Sequence, residues 1–159
     1  MKQLTVAGKA LTLLFVAAFL VACSSKDTKD DDAAAAEANA AAGSQQRLQD
    51  AVAAVGNVFY FDYDSSNLKP QAQAALDAHI ALLRTNERSV RLEGHTDERG
   101  TREYNMALGE RRANTVRDYM VVNGIPSYRI ETVSYGEEQP IAYGSGEANW
   151  SQNRRVELK

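Results

Sequence analysis

The sequence holds a single cysteine in 159 residues. No intrachain disulfide can form, and four-cysteine zinc sites and CxxC redox pairs are excluded. It holds two histidines, and their spacing matches no zinc motif. A basic excess is lacking too: 18 Lys+Arg stand against 21 Asp+Glu, a net charge of −3. A general nucleic-acid binder needs a basic face to neutralise phosphates, so that class is disfavoured. What remains is ordinary for one globular domain. Apolar residues make up 44% and charged residues 25%, which argues against wholesale disorder.

The ends of the chain differ in composition. Lys2 and Lys9 precede an apolar run from Ala10 to Ala22, interrupted only by Thr12. At 13 residues this run falls short of the ~20 needed to span a bilayer. A basic start, a short apolar core and small residues read as a secretory signal peptide over 1–22. The run closes Leu20-Val21-Ala22-Cys23, which resembles a bacterial lipobox. That resemblance implies cleavage before Cys23 and covalent acyl lipid on it. Several acyl chains anchor stably where one holds only marginally. Ser24, not Asp, follows the cysteine; by the same resemblance this implies the outer membrane.

Ser24 to Ser44 is Ser/Asp/Lys-rich and then Ala-rich, with no large apolar residue. It cannot bury a core and is expected to be a flexible tether over 23–44. As coil it would span ~25 Å r.m.s. and, fully extended, ~70 Å. Partial helix in the alanine tract would make it stiffer. From Gln45 a short helix is expected, closed by Gly56, opening a folded unit over 45–159.

In that unit Val58 to Phe61 is β-prone, and Asp62 to Asn67 carries turn chemistry. Pro70 fits an early helix position, with Leu76, Ile80 and Leu83 at helical spacing. Ser89 to Glu93 reads as a strand with Val90 and Leu92 on one face. Gly94 to Arg102 is a polar loop. Glu103 to Asn123 is a long helix stopped by Gly124 and Pro126. Ile130 to Tyr135 is a strand, Gly136 to Asn149 a Gly-rich loop, and Arg154 to Leu158 a last strand. The order β-α-β-α-β-β points to an α+β two-layer sandwich with helices packed on a mixed four-stranded sheet.

The long helix carries one anomaly. With Leu108 at zero and about 100° per residue, Tyr119, Val116, Met120 and Ala113 fall on one arc. Arg112 falls inside it at about 40°, and Asn105 at about 60°. Arginine is rarely buried without a partner. Either Arg112 joins a structural ion pair, or it receives an anionic ligand group in a cleft. The loop before the helix, Gly94-His95-Thr96-Asp97-Glu98-Arg99-Gly100, supplies a carboxylate nearby. Asp97 for an ammonium and Arg112 for a carboxylate would suit a zwitterionic ligand. A loop salt bridge or helix cap is the structural alternative for Asp97.

The stretch GHTDERGTREYNMALGERRANTVRDYM at 94–120 closely resembles the signature of OmpA-like peptidoglycan-binding domains. FYFDYDSSNL at 59–68, VSYGEEQPIAYG at 133–144 and NRRVEL at 153–158 resemble that family's opening and closing segments. The resemblance implies binding of the meso-diaminopimelate residue of the peptidoglycan stem peptide. It implies Asp97 as the ammonium-binding aspartate and Arg112 as the carboxylate-binding arginine. It further implies Asn105 as loop organiser or ligand contact, Leu108 lining the cleft, Asp64 at the rim, and Thr96 offering backbone or hydroxyl contacts. Gly109 replaces the serine common elsewhere in the family. With the lipobox and Ala-rich tether, the chain resembles the family's lipoprotein members, which belong to the Tol–Pal system. Those members imply a periplasmic TolB-type propeller partner and support for envelope integrity and division. No cofactor is expected beyond the acyl lipid on Cys23.

Two other classes stand beside this one. A lipoprotein that binds only proteins could use Tyr104, Tyr128, Tyr135 and Tyr143, since tyrosine is enriched at interfaces. A cell-wall enzyme would need an acid pair, a metal or an oriented triad, and the sequence displays none. On the ligand reading, Arg112→Ala is expected to lose binding and keep the fold.

Overall fold

A computed structural model describes residues 28–159. The segment expected to be a signal peptide, 1–22, together with Cys23 and Ser24, lies outside the described residues. Among the described residues no helix is long and apolar enough to cross a membrane.

The alanine tract is helical. Helix α1 runs unbroken over Thr28–Val55, so the expectation of a flexible tether is corrected along most of its length. Alanine is the best helix former, and the tract carries no proline and one glycine. The short helix expected from Gln45 is the last part of α1. Gln45, Leu48 and Val52 are its half-buried positions. Their spacing of three and four puts them on one face. Gln45 accepts a hydrogen bond from Thr85 at 3.1 Å.

Strand β1 (Val58–Tyr60) leads into α2 (Pro70–Leu83), with Pro70 at its first turn. There the missing N–H costs nothing. Strand β2 (Val90–His95) feeds α3 (Arg102–Val122). A 3-10 turn at Ser127–Arg129 precedes β3 (Ile130–Gly136). Helix α4 (Glu147–Asn153) and β4 (Arg155–Leu158) close the chain. The sheet is four-stranded in the order β1-β4-β2-β3. β2 and β3 are parallel, and β4 lies antiparallel to both β1 and β2. It is therefore a mixed sheet, as expected. Phe59, Leu92 and Val156 from the sheet meet Leu76 and Ile80 of α2 and Val116 and Met120 of α3 in one buried core.

Two further features differ from the sequence expectation. Helix α4 occupies part of the stretch expected to be a Gly-rich loop. Gly144 and Gly146 sit at φ +96° and +117° just before it, and seven residues are too few for a helical period to show. Strand β2 runs on through Gly94 and His95. A Cβ on Gly94 would lie 2.0 Å from the Gly109 carbonyl oxygen. This glycine pair lets the N-terminal half of α3 lie directly on β2, and that contact fixes where the site residues of both elements meet.

Candidate functional site

Three segments converge at one end of the sheet: the β1–α2 loop, the β2–α3 loop with the start of α3, and α4 with the first turn into β4. A small cavity of about 150 Å³ opens between the first two. Tyr63, Asp64, Thr96, Asp97, Asn105, Leu108 and Arg112 line it, joined by Arg99, Gly100 and Tyr104. All six residues expected at a ligand site are therefore brought together. Cys23, the expected lipidation site, lies outside the described residues.

Arg112 points inward, as helical spacing required, and is 0% exposed. Its partners are backbone carbonyls. Nε donates to Ser65 O at 2.8 Å, Nη1 to His95 O at 2.8 Å and Nη2 to Asp62 O at 3.1 Å. Its guanidinium also lies 5.3 Å from the Phe61 ring centroid. One side chain thus ties α3 to the end of β2 and to the β1–α2 loop. Burial lowers its pKa to about 10, against the opposing pull of Asp97, so it stays charged at neutral pH. Three of five N–H donors are used, leaving one hydrogen on each terminal nitrogen. Truncation to alanine would leave three carbonyls without this donor, so a loss of stability is expected beside the loss of binding.

Asp97 is 4% exposed and already paired. Arg99 donates to it from Nε at 3.1 Å, from Nη2 at 2.6 Å and from its backbone N–H at 3.1 Å. Arg154 donates from Nη1 at 3.2 Å. Burial alone would raise the Asp97 pKa; the arginine bonds outweigh it and hold the carboxyl below its ordinary value. The loop salt bridge therefore exists, beside the open cavity. Asn105 is buried and donates from Nδ2 to Arg99 O at 3.1 Å and to Glu137, which fixes the loop's return onto α3. Thr101 caps that helix, accepting from the Tyr104 N–H at 3.2 Å. Asp64 has a left-handed φ of +51° and accepts from the Tyr104 hydroxyl. Thr96 is buried, its N–H donating to Gly136 O at 2.8 Å, and its hydroxyl has no protein partner. Leu108 supplies the apolar wall.

Five residues at this site have no role assigned from the sequence: Tyr63, Arg99, Glu147, Trp150 and Arg154. The Arg99 guanidinium is stacked between the Tyr63 ring at 3.9 Å and the Trp150 ring at 4.0 Å. The Trp150 indole N–H donates to Glu98 at 3.0 Å. Arg154, side chain 6% exposed, also donates to Phe61 O at 3.2 Å and to Glu147. Glu147, Trp150 and Arg154 all come from α4 and its C-terminal cap, the element hidden behind glycines. The paired Arg154-Arg155, four residues after the sole tryptophan, was the available signal.

The histidines serve packing. His79 contacts Gly56 O at 2.8 Å and meets Phe59 edge-on. His95 stacks on Tyr135 with ring centroids 5.5 Å apart. Burial, helped by nearby Arg155, lowers its pKa to about 4. Tyr135, expected to be exposed, is half-buried by that stack. Tyr128 and Tyr143 are exposed. Among the described residues no group of three His, Cys, Asp or Glu is placed to hold a metal ion.

Comparison with known proteins gives a consistent picture. The OmpA family profile matches residues 60–154. A peptidoglycan-associated lipoprotein of Pseudomonas putida is 49% identical over 159 residues, covering 96% of each chain. One of Pseudomonas aeruginosa is 48% identical, again with 96% of each covered. The crystal structure of the peptidoglycan-associated lipoprotein from Burkholderia pseudomallei superposes with a TM-score of 0.64 at 44% identity, over 65% of this chain and 88% of that one. The C-terminal domain of Helicobacter pylori MotB shares the fold, with a TM-score of 0.60 at 22% identity.

Proposed function

This chain belongs to the OmpA family, and on that premise we propose that it is a non-enzymatic tether between the outer membrane and peptidoglycan. Acyl lipid on Cys23 holds one end in the membrane. The cavity beside α3 takes the diaminopimelate residue of an uncrosslinked stem peptide. Arg112 receives its side-chain carboxylate through the two hydrogens left on its terminal nitrogens. Asp97 receives its ammonium, with Asp64 at the rim, Asn105 organising the loop, Thr96 offering backbone or hydroxyl contacts and Leu108 against the methylenes. The observation that carries this reading is the side-by-side placement, in one cavity, of a buried guanidinium with unused donors and a buried carboxylate. The names of the relatives, peptidoglycan-associated lipoproteins, support the ligand class.

Non-covalent clasping allows the attachment to be released and remade. That property suits a role in the Tol–Pal system, in which the outer membrane follows constriction at division. A TolB-type propeller protein is the proposed protein partner. The exposed Tyr63, Ile141 and Tyr143 offer a rim on which it would compete with the cell wall. Tyr143 lines a second cavity, which shares Thr96 with the first.

Calorimetric titration of the full-length chain in detergent with L-Ala-γ-D-Glu-meso-diaminopimelate tests the reading. The same peptide ending in L-lysine keeps the ammonium and lacks only the side-chain carboxylate. The lysine peptide is expected to bind on the order of 10²-fold more weakly, because buried donors are left unpaired. Equal binding of both peptides would sink the carboxylate assignment. Binding of neither by a folded chain would leave the protein-partner reading.

A further inference from the structure

The Asp97 carboxylate faces the cavity, yet two guanidinium groups already satisfy it. A ligand ammonium must therefore displace one of them. From the unequal way these two arginines are held, we infer that Arg99 is an internal stand-in for the ligand's ammonium: it occupies the cation seat at Asp97 and swings out when ligand binds. The inference rests on the clasp reading given above and adds the residue that sets its affinity.

Arg154 cannot be the group that leaves. Its side chain is 6% exposed, and it is held at once by Asp97, Glu147 and the Phe61 carbonyl. Arg99 is different. Its side chain is 29% exposed, and Nε and Nη2 both go to Asp97. Among the described residues its only other ion pair is with Glu147, a loose 3.9 Å away at the exposed edge. Its flat faces rest on Tyr63 and Trp150. Aromatic faces hold a cation without fixing its position in the plane, so the guanidinium can slide outward towards Glu147 between the same two rings.

Departure of the Arg99 head frees one bonding position on each Asp97 oxygen. Arg154 remains on Oδ2, and the Arg99 backbone N–H remains on Oδ1. A primary ammonium with three hydrogens fits such a gap. One positive charge replaces another, so the buried carboxylate is never left without a cation, a state that is costly in a desolvated site. The loop backbone need not move. Ligand affinity is lowered by the fraction of time the seat is self-occupied, as for any binding-competent state that is only partly populated.

The full-length chain in detergent, titrated with L-Ala-γ-D-Glu-meso-diaminopimelate, distinguishes the outcomes. Arg99→Gln removes the internal cation and keeps a polar side chain. It is expected to bind on the order of ten-fold more tightly than the unsubstituted chain. Trp150 is the sole tryptophan, so its emission reports the stacked guanidinium directly. Emission is expected to shift on titration of the unsubstituted chain, with the same midpoint as the heat, and to stay unchanged as the Gln variant binds. Weaker or equal binding by Arg99→Gln, with the unsubstituted chain still binding, overturns the exchange and leaves the clasp standing. Should the Gln variant fail to fold, unchanged Trp150 emission at saturating ligand in the unsubstituted chain overturns it equally. If neither chain binds the peptide, the clasp itself fails and the exchange falls with it.

Discussion

Arg112 Nη1 donates to the backbone carbonyl of His95 across 2.8 Å, so a buried cation on α3 is latched to the last residue of β2. The same guanidinium reaches two carbonyls in the β1–α2 loop. Arg112→Ala is therefore expected to lose stability as well as ligand. Three carbonyls lose a charged donor, and the cost is expected to reach at least about 3 kcal/mol. Arg112→Lys is expected to recover only part of it, because one ammonium cannot span three carbonyls set around a planar fork. Urea denaturation of both variants checks this. A fully stable Ala variant would show that the three bonds contribute nothing net.

Gly94 and Gly109 are in backbone contact. A methyl group on Gly94 would meet the Gly109 carbonyl at 2.0 Å, and helix and strand backbones have no rotamer by which to yield. Gly94→Ala is expected to cost more than about 2 kcal/mol and to open the cavity by pushing α3 away. Gly109→Ala is expected to be milder. Its methyl meets the Ser134 hydroxyl at 2.4 Å, a side chain that can rotate after giving up its 2.7 Å bond to Met106 O. Equal melting temperatures for the two variants would contradict this ranking.

His95 predicts a pH dependence. Its folded pKa is lowered to about 4 by burial and then by Arg155, whereas the unfolded ring titrates near an ordinary value of about 6.5. Between these values the unfolded state binds more proton, so stability falls as pH drops from about 6.5 to about 4. The whole effect is roughly 3 kcal/mol. His95→Phe keeps the stack on Tyr135 and is expected to flatten the melting temperature over that window. Asp97, with its pKa lowered in the fold, contributes stability that is present above the unfolded carboxylate value and lost at still lower pH. An unchanged slope in the Phe variant would assign the acid sensitivity elsewhere.

Helix α1 makes a prediction of its own. Ala40 is exposed in the middle of it. Proline there removes a hydrogen bond and clashes with the preceding turn, costing the helix about 3 kcal/mol locally. Ala40→Pro is expected to reduce the helical circular-dichroism signal and leave the melting of the folded unit unchanged. A shifted melting temperature would mean that the upstream part of α1 supports the core.

Much of this was legible in sequence because it depends on local period. The strand and helix segments of 57–159 and the inward aim of Arg112 follow from spacings of two and 3.6 residues. The alanine tract was harder. The composition that makes a good helix also lacks the apolar face that would pin one down, and continuity with the half-buried positions Gln45, Leu48 and Val52 adds the anchor that propensity alone lacks. The order of the strands, with β4 inserted between β1 and β2, carries no local mark at all.

At the site, helical period placed a guanidinium on the core side of α3, and the loop before it supplied a carboxylate; whether either faced a cavity stayed open. Their partners come from the fold. Arg112 finds carbonyls 47 and 50 residues away, and Asp97 finds Arg154 57 residues away as well as Arg99 from its own loop. The physical reason is that burial sets the demand for a partner, which helical period reveals, whereas the partner is supplied by whichever distant segment the sheet topology brings within hydrogen-bond reach.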